Sequence, residues 1–243
     1  MFGKVALILT SVISIASCSA AYAETHDFSI QLSDLSPASS PLQASGQASF
    51  HVDVTTGTVF ESCALDGRLR NASSKAILAF EASLDLLPGY SGGVHQDYDI
   101  DYIFDDHLLE PGSQIPIQER PQPWQMPTNG QISPRKARAE FRVTFVQFAD
   151  GSTFGKSSWG DALSGERKTK IGIMTALLQA YQSRKEVGLS SAIADGLAKS
   201  DNSISVKIWY RELKDIMDAK GAKACVTEIE SRLANAKSRM DVL

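Results

Sequence analysis

The sequence predicts an α+β protein in which an antiparallel β-sandwich is followed by a small C-terminal helical segment. From Ala48 to about Phe154, apolar and polar residues repeatedly alternate with a period of two, as in half-buried strands. After Gly165 the apolar residues recur at three- and four-residue steps, which is typical of one helix face. Strands that precede the helices favour a β domain with a helical appendage over a doubly wound sheet.

The first 23 residues have the pattern of an export signal. Lys4 is the only charged residue before Glu24, and residues 5–16 are almost entirely apolar. Residues 21–23, Ala-Tyr-Ala, supply the small-x-small motif that a signal peptidase cleaves. We therefore expect an extracytoplasmic protein, periplasmic or secreted, that begins at Glu24 after cleavage.

A second form of processing competes with this one. Residues 15–18, Ile-Ala-Ser-Cys, fit the lipobox of bacterial lipoproteins, in which the chain is cut before the cysteine and the thiol is acylated. Lipidation at Cys18 would make the protein a membrane-anchored lipoprotein, because each buried methylene adds about 0.8 kcal/mol of membrane affinity. A membrane is an expected partner only in that case.

Composition and charge exclude some classes of function. A hydrophobic content of 43% and a charged content of 21% are typical of a globular chain. The net charge of −4 leaves no basic surplus for binding nucleic acid. Residues 24–165 hold 18 acidic and 9 basic side chains, whereas residues 166–243 hold 10 and 14. Either the two parts simply have different surfaces, or the basic part docks on the acidic one, or one of them recruits an oppositely charged partner.

The mature N-terminal region, residues 24–45, is rich in Ser, Ala and Pro. This composition predicts a flexible tether that contains at most one edge strand, near residues 28–32. The β-sandwich is then expected over residues 46–156. Its first strand includes Phe50, and a hairpin is expected from residues 59–87 around a polar turn at residues 71–75.

The second half of the predicted sandwich contains two strands and a proline-rich insertion. Residues 97–104 alternate between aspartates and apolar side chains. Six prolines within residues 110–134 favour extended or turn structure over helix. Residues 139–148 are apolar on both sides near their end, as expected of a central strand.

A resemblance to a known family is carried by residues 65–77, in which a strand containing Gly67 and Leu69 meets a polar turn at Asn71. This stretch resembles the small exported bacterial immunoglobulin-like domains of the FxLYD type, as do the Pro-Gly turn at residues 110–113 and the closing turn at residues 148–152. The name-giving motif is replaced by Ala-Ser-Leu-Asp-Leu at residues 82–86. The resemblance covers about 90 of the 243 residues and implies an immunoglobulin-like antiparallel β-sandwich but no activity.

Four helices are expected in residues 166–243. The first has an apolar face that includes Met174 and Leu177, and a short second helix covers about residues 190–198. A third begins near Ser203, although residues 204–210 also fit a strand. The last runs over about residues 222–240.

No cofactor and no catalytic residue are expected. Residues 151–157 resemble a phosphate-binding loop, but three residues instead of four separate the glycines and no second nucleotide motif is present. No Gly-x-Ser-x-Gly elbow occurs in the chain. Trp124 and Trp159 are candidate contacts with a partner protein, since each lies near a predicted turn or insertion.

Residues 95–107 hold two histidines and five aspartates. The spacing of their aspartates fails the EF-hand pattern, because Tyr102 and Leu108 occupy the positions of the required Gly and Glu. Asp105, Asp106 and His107 remain candidate ligands of a divalent metal. The competing interpretation is an acidic, solvent-facing strand surface that discourages pairing with other chains.

Two cysteines, Cys63 and Cys225, remain after either form of processing. An oxidising compartment would permit a disulfide between them, which would join the β domain to the helical segment. Two buried free thiols are the alternative, because sequence does not reveal proximity.

These observations together predict an exported envelope protein that is a non-enzymatic protein-binding or structural module. It would contact an envelope protein through the insertion at residues 110–134 or through the acidic strand. The alternative is an extracytoplasmic metal-dependent hydrolase centred on the Asp/His cluster at residues 95–107.

Overall fold

The computed structural model has nine strands and three helices in the residues that it describes. These residues are 24–55, 58–89, 92–127, 136–156, 160–199 and 204–240. All strands precede all helices, which confirms the α+β class and the C-terminal helical segment. The predicted export signal, the candidate lipidation site Cys18 and Trp159 lie outside the described residues.

The first sheet has four strands, all antiparallel, in the order β1-β3-β4-β7. These are β1 (Glu24–Gln31), β3 (Leu42–Thr55), β4 (Thr58–Asn71) and β7 (Gln114–Pro127). In the second sheet β8 pairs with β5 on one side and with two short strands on the other, while β6 lies at the far edge. These are β2 (Ser33–Asp34), β5 (Ile77–Leu87), β6 (Val94–Asp101), β8 (Arg138–Phe148) and β9 (Thr153–Gly155).

Both sheets contribute to one hydrophobic cluster. Alternation along β3 and β4 turns Phe50, Cys63 and Leu65 into this cluster, while β5 and β8 contribute Leu84 and Phe141 from the other sheet. A central strand was predicted at residues 139–148, and β8 is indeed paired on both sides.

The hairpin predicted over residues 59–87 is wrong. β4 pairs with β3 and β7, whereas β5 pairs with β6 and β8, so the turn at residues 71–75 carries the chain from one sheet to the other. Asn71 anchors this crossing, since it is fully buried and its Nδ2 donates to the carbonyl oxygens of Lys75 and Leu109, each at 2.8 Å. Its Oδ1 also accepts from the amide of Ser73 at 3.0 Å. Local alternation does not reveal which sheet a strand joins.

The predicted tether at residues 24–45 is also corrected. Its first part forms β1 along the edge of the first sheet, and β2 then joins the second sheet in parallel with β8. Leu32 and Leu42 are buried in the shared cluster. The edge strand expected near residues 28–32 is present as part of β1, where the apolar alternation at Phe28 and Ile30 is typical of a strand.

Residues 114–127 of the proline-rich insertion form the long edge strand β7, in agreement with the predicted extended structure. The amide of Asn71 donates to the carbonyl of Ser113 at 3.0 Å, so the odd-numbered residues of β4 point their amides towards β7. Three prolines lie opposite even-numbered residues of β4: Pro116 opposite Arg68, Pro123 opposite Ser62 and Pro127 opposite Thr58. Their nitrogens therefore face the open edge, where no donor is needed.

The helices are α1 (Gly160–Ala198), α2 (Ile204–Lys220) and α3 (Ala222–Met240). The backbone of α1 is interrupted at Lys185, so that it consists of two helices, and the second of these includes the short helix predicted at residues 190–198. Residues 204–210 are helical, which removes the strand alternative. The helices enclose a second cluster around Met174, Trp209 and Leu213.

The helical segment packs against the β5 side of the second sheet. The register of β5 with β8 shifts between Ile77 and Ala79, which leaves Leu78 as a bulged residue. Leu78 joins the helical cluster together with Ile103 and Phe104, although Ile77 and Phe80 of the same strand belong to the other cluster. The bulge therefore lets one strand contribute to both cores.

We expect Lys185→Gly to stabilise the protein by about 1 kcal/mol, because Lys185 has φ 54° and ψ −140°, a conformation that a side chain disfavours. Urea unfolding would measure the change. Lys168→Gly is the matched control, since it removes an exposed lysine from the interior of α1 and should cost about 1 kcal/mol. A loss of stability at both positions would contradict the prediction.

Candidate functional site: the acidic face of the second sheet

The antiparallel pair β5 and β6 carries carboxylates on its outer side. Side chains in β6 alternate, so that Tyr98 and Ile100 pack against the shared core while Asp97 and Asp99 are exposed, as the sequence predicted. On β5, Glu81 and Asp85 lie on the same outer side because Ala82 and Leu84 are buried. We call the outward carboxylates the acidic face: Glu81, Asp85, Asp97 and Asp99.

The register places like charges directly opposite each other. Glu81 of β5 is the cross-strand partner of Asp99 on β6, and such a pair is unfavourable in a sheet. Partial burial raises the pKa of Asp99, and the negative charges of Glu81, Asp97 and Glu166 raise it further. The register therefore concentrates negative charge at the centre of the acidic face.

A histidine partly offsets the negative charge at one end of the β5–β6 pair. His95 is the cross-strand partner of Asp85, and its Nδ1 lies 2.7 Å from an Asp85 carboxylate oxygen. Its Nε2 lies 3.3 Å from Asp97. The hydrogen bond with Asp85 is the main cause of a raised pKa at His95, which favours the imidazolium form.

Asp101, the last residue of β6, forms a buried ion pair with the helical segment. Arg167 of α1 donates from Nε and Nη2 to the two Asp101 carboxylate oxygens at 2.9 and 2.8 Å. The two side chains are only 6% and 8% exposed. The basic segment thus docks on the acidic one at this point, as one of the interpretations of the charge distribution predicted.

The predicted metal ligands lie in the loop after β6, and this loop contacts α3. Asp106 Oδ1 accepts hydrogen bonds from Ser231 and Asn235 of α3, each at 3.1 Å, and these bonds lower its pKa. Burial raises the pKa of Asp105, whose carbonyl oxygen accepts from Asn235 at 3.2 Å. In the part of the chain that the structure describes, no group of three His, Cys, Asp or Glu side chains could hold a metal ion. The metal site at Asp105, Asp106 and His107 is therefore corrected to a helix contact.

The two cysteines are not brought together. Cys63 is buried between the sheets and Cys225 is buried among the helices, and the two do not form a disulfide with each other. The sulfur of Cys225 lies 3.5 Å from the carbonyl oxygen of Leu213, and burial raises the pKa of this thiol to about 11. Of the two alternatives that the sequence left open, the structure therefore has two buried thiols and not the disulfide.

A histidine on the outer face of the first sheet shows no catalytic arrangement with its serine neighbour. His51 lies opposite Ser62 and beside a shallow depression of about 390 Å³. Its Nδ1 is 2.7 Å from Asp27 and its Nε2 is 3.1 Å from Asp53. Because carboxylates occupy both ring nitrogens, His51 is not placed to take a proton from Ser62.

Sequence reasoning found Asp97 and Asp99 but missed Glu81 and Glu166. Glu81 becomes important only through the register of β5 with β6, and Glu166 only through the docking of α1. Glu81 and Asp85 lie four residues apart and therefore on one side of a predicted strand. This spacing was the sequence signal that could have identified Glu81. Trp124 lies in β7, but its side chain is outside the described part of the structure, so its partner contact stays a prediction.

Comparisons with protein-family models, with curated protein sequences and with solved structures find no match to this chain. No helix among the described residues is both long and apolar enough to cross a membrane. The function must therefore be inferred from the side chains of the acidic face and from their charges.

Proposed function

We propose that this protein is an exported, non-enzymatic binding module that holds a basic segment of an envelope protein on its acidic face. The observation that carries this proposal is the cross-strand pair of Glu81 and Asp99, with Asp97 and Glu166 close enough to raise the pKa of Asp99. The export signal in residues 1–23 supports an extracytoplasmic location.

A cationic partner would add opposite charge beside carboxylates that the strand register places opposite each other. Each lysine or arginine placed near Glu81 and Asp99 exchanges a like-charge contact for an opposite-charge one. Carboxylates that line one side of a surface also raise the local concentration of a basic partner before contact. Binding of this kind weakens with salt, because exposed charges are screened over about 8 Å at physiological ionic strength.

We also propose that the two sheets form an immunoglobulin-like sandwich of the FxLYD type. The antiparallel pairing of all their strands except β2, their shared core and the buried turn residue Asn71 support this proposal. The hydrolase alternative has no comparable support, because among its three candidate ligands the Asp106 carboxylate already accepts hydrogen bonds from Ser231 and Asn235 of α3.

We expect Asp99→Asn to reduce capture of the partner by about fivefold, since one favourable charge contact in water contributes about 1 kcal/mol. In-cell cross-linking followed by mass spectrometry would measure the capture and locate the cross-linked peptides. Asp66→Asn is the matched control, because it removes an exposed aspartate from the outer side of the first sheet and should leave capture unchanged. Equal losses in the two variants, or cross-links confined to the first sheet, would refute the proposal.

The same variant has a second readout with the opposite sign. The pKa of Asp99 is raised in the folded protein, so its ionisation costs stability as the pH rises above the usual carboxyl pKa. Asp99→Asn removes that cost and should stabilise the free protein by a few tenths of a kcal/mol at neutral pH. If Asp99 had a merely structural role, Asp99→Asn would lower both the stability of the protein and its capture of the partner.

A further inference from the structure

We propose that the open edge of β1 pairs with the same edge of a second copy of this chain, which would join two four-stranded sheets into one of eight strands. This surface is separate from the acidic face, and its use does not depend on the proposed function. The inference rests on the state of the sheet edges, on the direction of the β1 amides and on the side chains that β1 would bring together.

The other edges of the described sheets are protected against strand addition. On β7 the nitrogens of three prolines face the open edge and cannot donate. In the second sheet, β2 and β9 are two and three residues long. β6 carries Asp97 and Asp99, which would repel the same strand of a second copy. β1 is eight residues long and contains neither proline nor lysine.

The hydrogen-bonding groups on the open side of β1 can be assigned. The amide of Leu32 donates to the carbonyl of Gly46 on β3 at 2.9 Å. Because amides alternate along an antiparallel strand, the even-numbered residues of β1 point towards β3. The residues whose backbone groups face the open edge are therefore Thr25, Asp27, Ser29 and Gln31.

The core is incompletely covered at this edge. Phe28 and Ile30 face the shared core but remain only half-buried, and Phe28 stacks on Phe50 with ring centroids 5.3 Å apart. A strand added beside β1 would extend the sheet over these side chains and would remove apolar surface from water. The added strand should therefore carry apolar residues at alternate positions, as β1 itself does.

One antiparallel register satisfies these side chains. With Phe28 opposite Phe28 of the second copy, Asp27 faces Ser29 and His26 faces Ile30, and about eight backbone hydrogen bonds can form. This register leaves the two Phe28 side chains on the core side. Centring the pair on Asp27 instead would place two carboxylates opposite each other, which is unfavourable.

Sedimentation of the purified protein, with any affinity tag at its C terminus, tests the proposal. We expect the wild type to show a monomer–dimer equilibrium and Ser29→Pro to remain monomeric, since proline removes an amide from the open edge. Gln118→Pro is the matched control, because residue 118 lies opposite Asp66 and its amide faces the open edge of β7. A monomeric wild type at all concentrations, or equal loss of dimer in both variants, would overturn the proposal.

Two charge variants test the register without altering the backbone. Ser29→Asp would face Asp27 of the second copy and should weaken the dimer, whereas Ser29→Lys would face the same carboxylate and should strengthen it. Circular dichroism would verify that both variants fold. Weakening by Ser29→Lys, or strengthening by Ser29→Asp, would contradict the Phe28-centred register.

Discussion

Replacing Arg167 with Met is expected to lower the free energy of unfolding by about 3–5 kcal/mol, the cost of leaving one member of a buried ion pair alone. The Asp101 carboxylate is 8% exposed and receives both of its charged hydrogen bonds from Arg167. Its other hydrogen bond, from the amide of Ile103 at 3.2 Å, is too weak to stabilise an isolated buried charge. Urea unfolding at neutral pH would measure the loss.

Two further variants separate the buried charge from the change in packing. Lys214→Met removes an exposed ion pair with Asp218 on α2 and should cost less than about 1 kcal/mol. Combining Arg167→Met with Asp101→Leu should restore most of the lost stability, because neither charge is then left unpaired. If Arg167→Met were as mild as Lys214→Met, the pair would not hold the helical segment to the sheet.

Gly196→Ala is expected to destabilise the protein by about 1–3 kcal/mol through overpacking. A β-carbon at Gly196 would lie within 2.5 Å of three ring atoms of Tyr210, which is itself buried. The backbone of α1 thus rests directly on an aromatic ring of α2. Thermal unfolding would show the effect as a lower Tm.

Gly172→Ala provides the control within the same helix. A β-carbon at Gly172 would meet no atom within 4 Å, and alanine is favoured over glycine in a helix interior. This substitution should stabilise the protein by about 0.5–1 kcal/mol. Equal stabilisation by Gly196→Ala would show that α1 and α2 are not packed through Tyr210.

The first of these predictions concerns a contact that positions the candidate site. Arg167 fixes the end of β6 next to Asp99, and Glu166 is its neighbour on α1. The loop after β6 is held by α3 as well, through Asn235 and through a hydrogen bond from Arg239 to the carbonyl of Tyr102. The helical segment therefore shapes the acidic face and contributes one of its charges.

The alternation of residues 97–100 was enough to predict which side of β6 is acidic and which is apolar, because a strand has a fixed period of two. The predicted continuation to residue 104 is wrong, because β6 ends at Asp101 and both Ile103 and Phe104 join the helical cluster. The helical steps after Gly165 likewise predicted α3 at residues 222–240, where the structure has Ala222–Met240. These features are local, so a short window of sequence contains them.

Contacts between elements that are distant in sequence could not be predicted from local periodicity. The alternation of β4 and β5 is the same whether they form a hairpin or lie in different sheets, and only the crossing at Asn71 decides between these arrangements. The Ser/Pro-rich residues 24–45 join both sheets because β3 and β8 offer them hydrogen-bonding groups. Cys63 and Cys225 stay apart because each is buried in a different cluster.

The sequence by itself determined the class of the protein, the faces of its strands and helices, and the acidic character of β6. Tertiary structure alone decided that Glu81 lies opposite Asp99, that Arg167 neutralises Asp101, and that Asp106 binds α3. The physical reason is that periodicity depends on the geometry of one segment, whereas register and docking depend on which surfaces meet. The register of β5 with β6 and the docking of α1 bring together the charges that distinguish the acidic face.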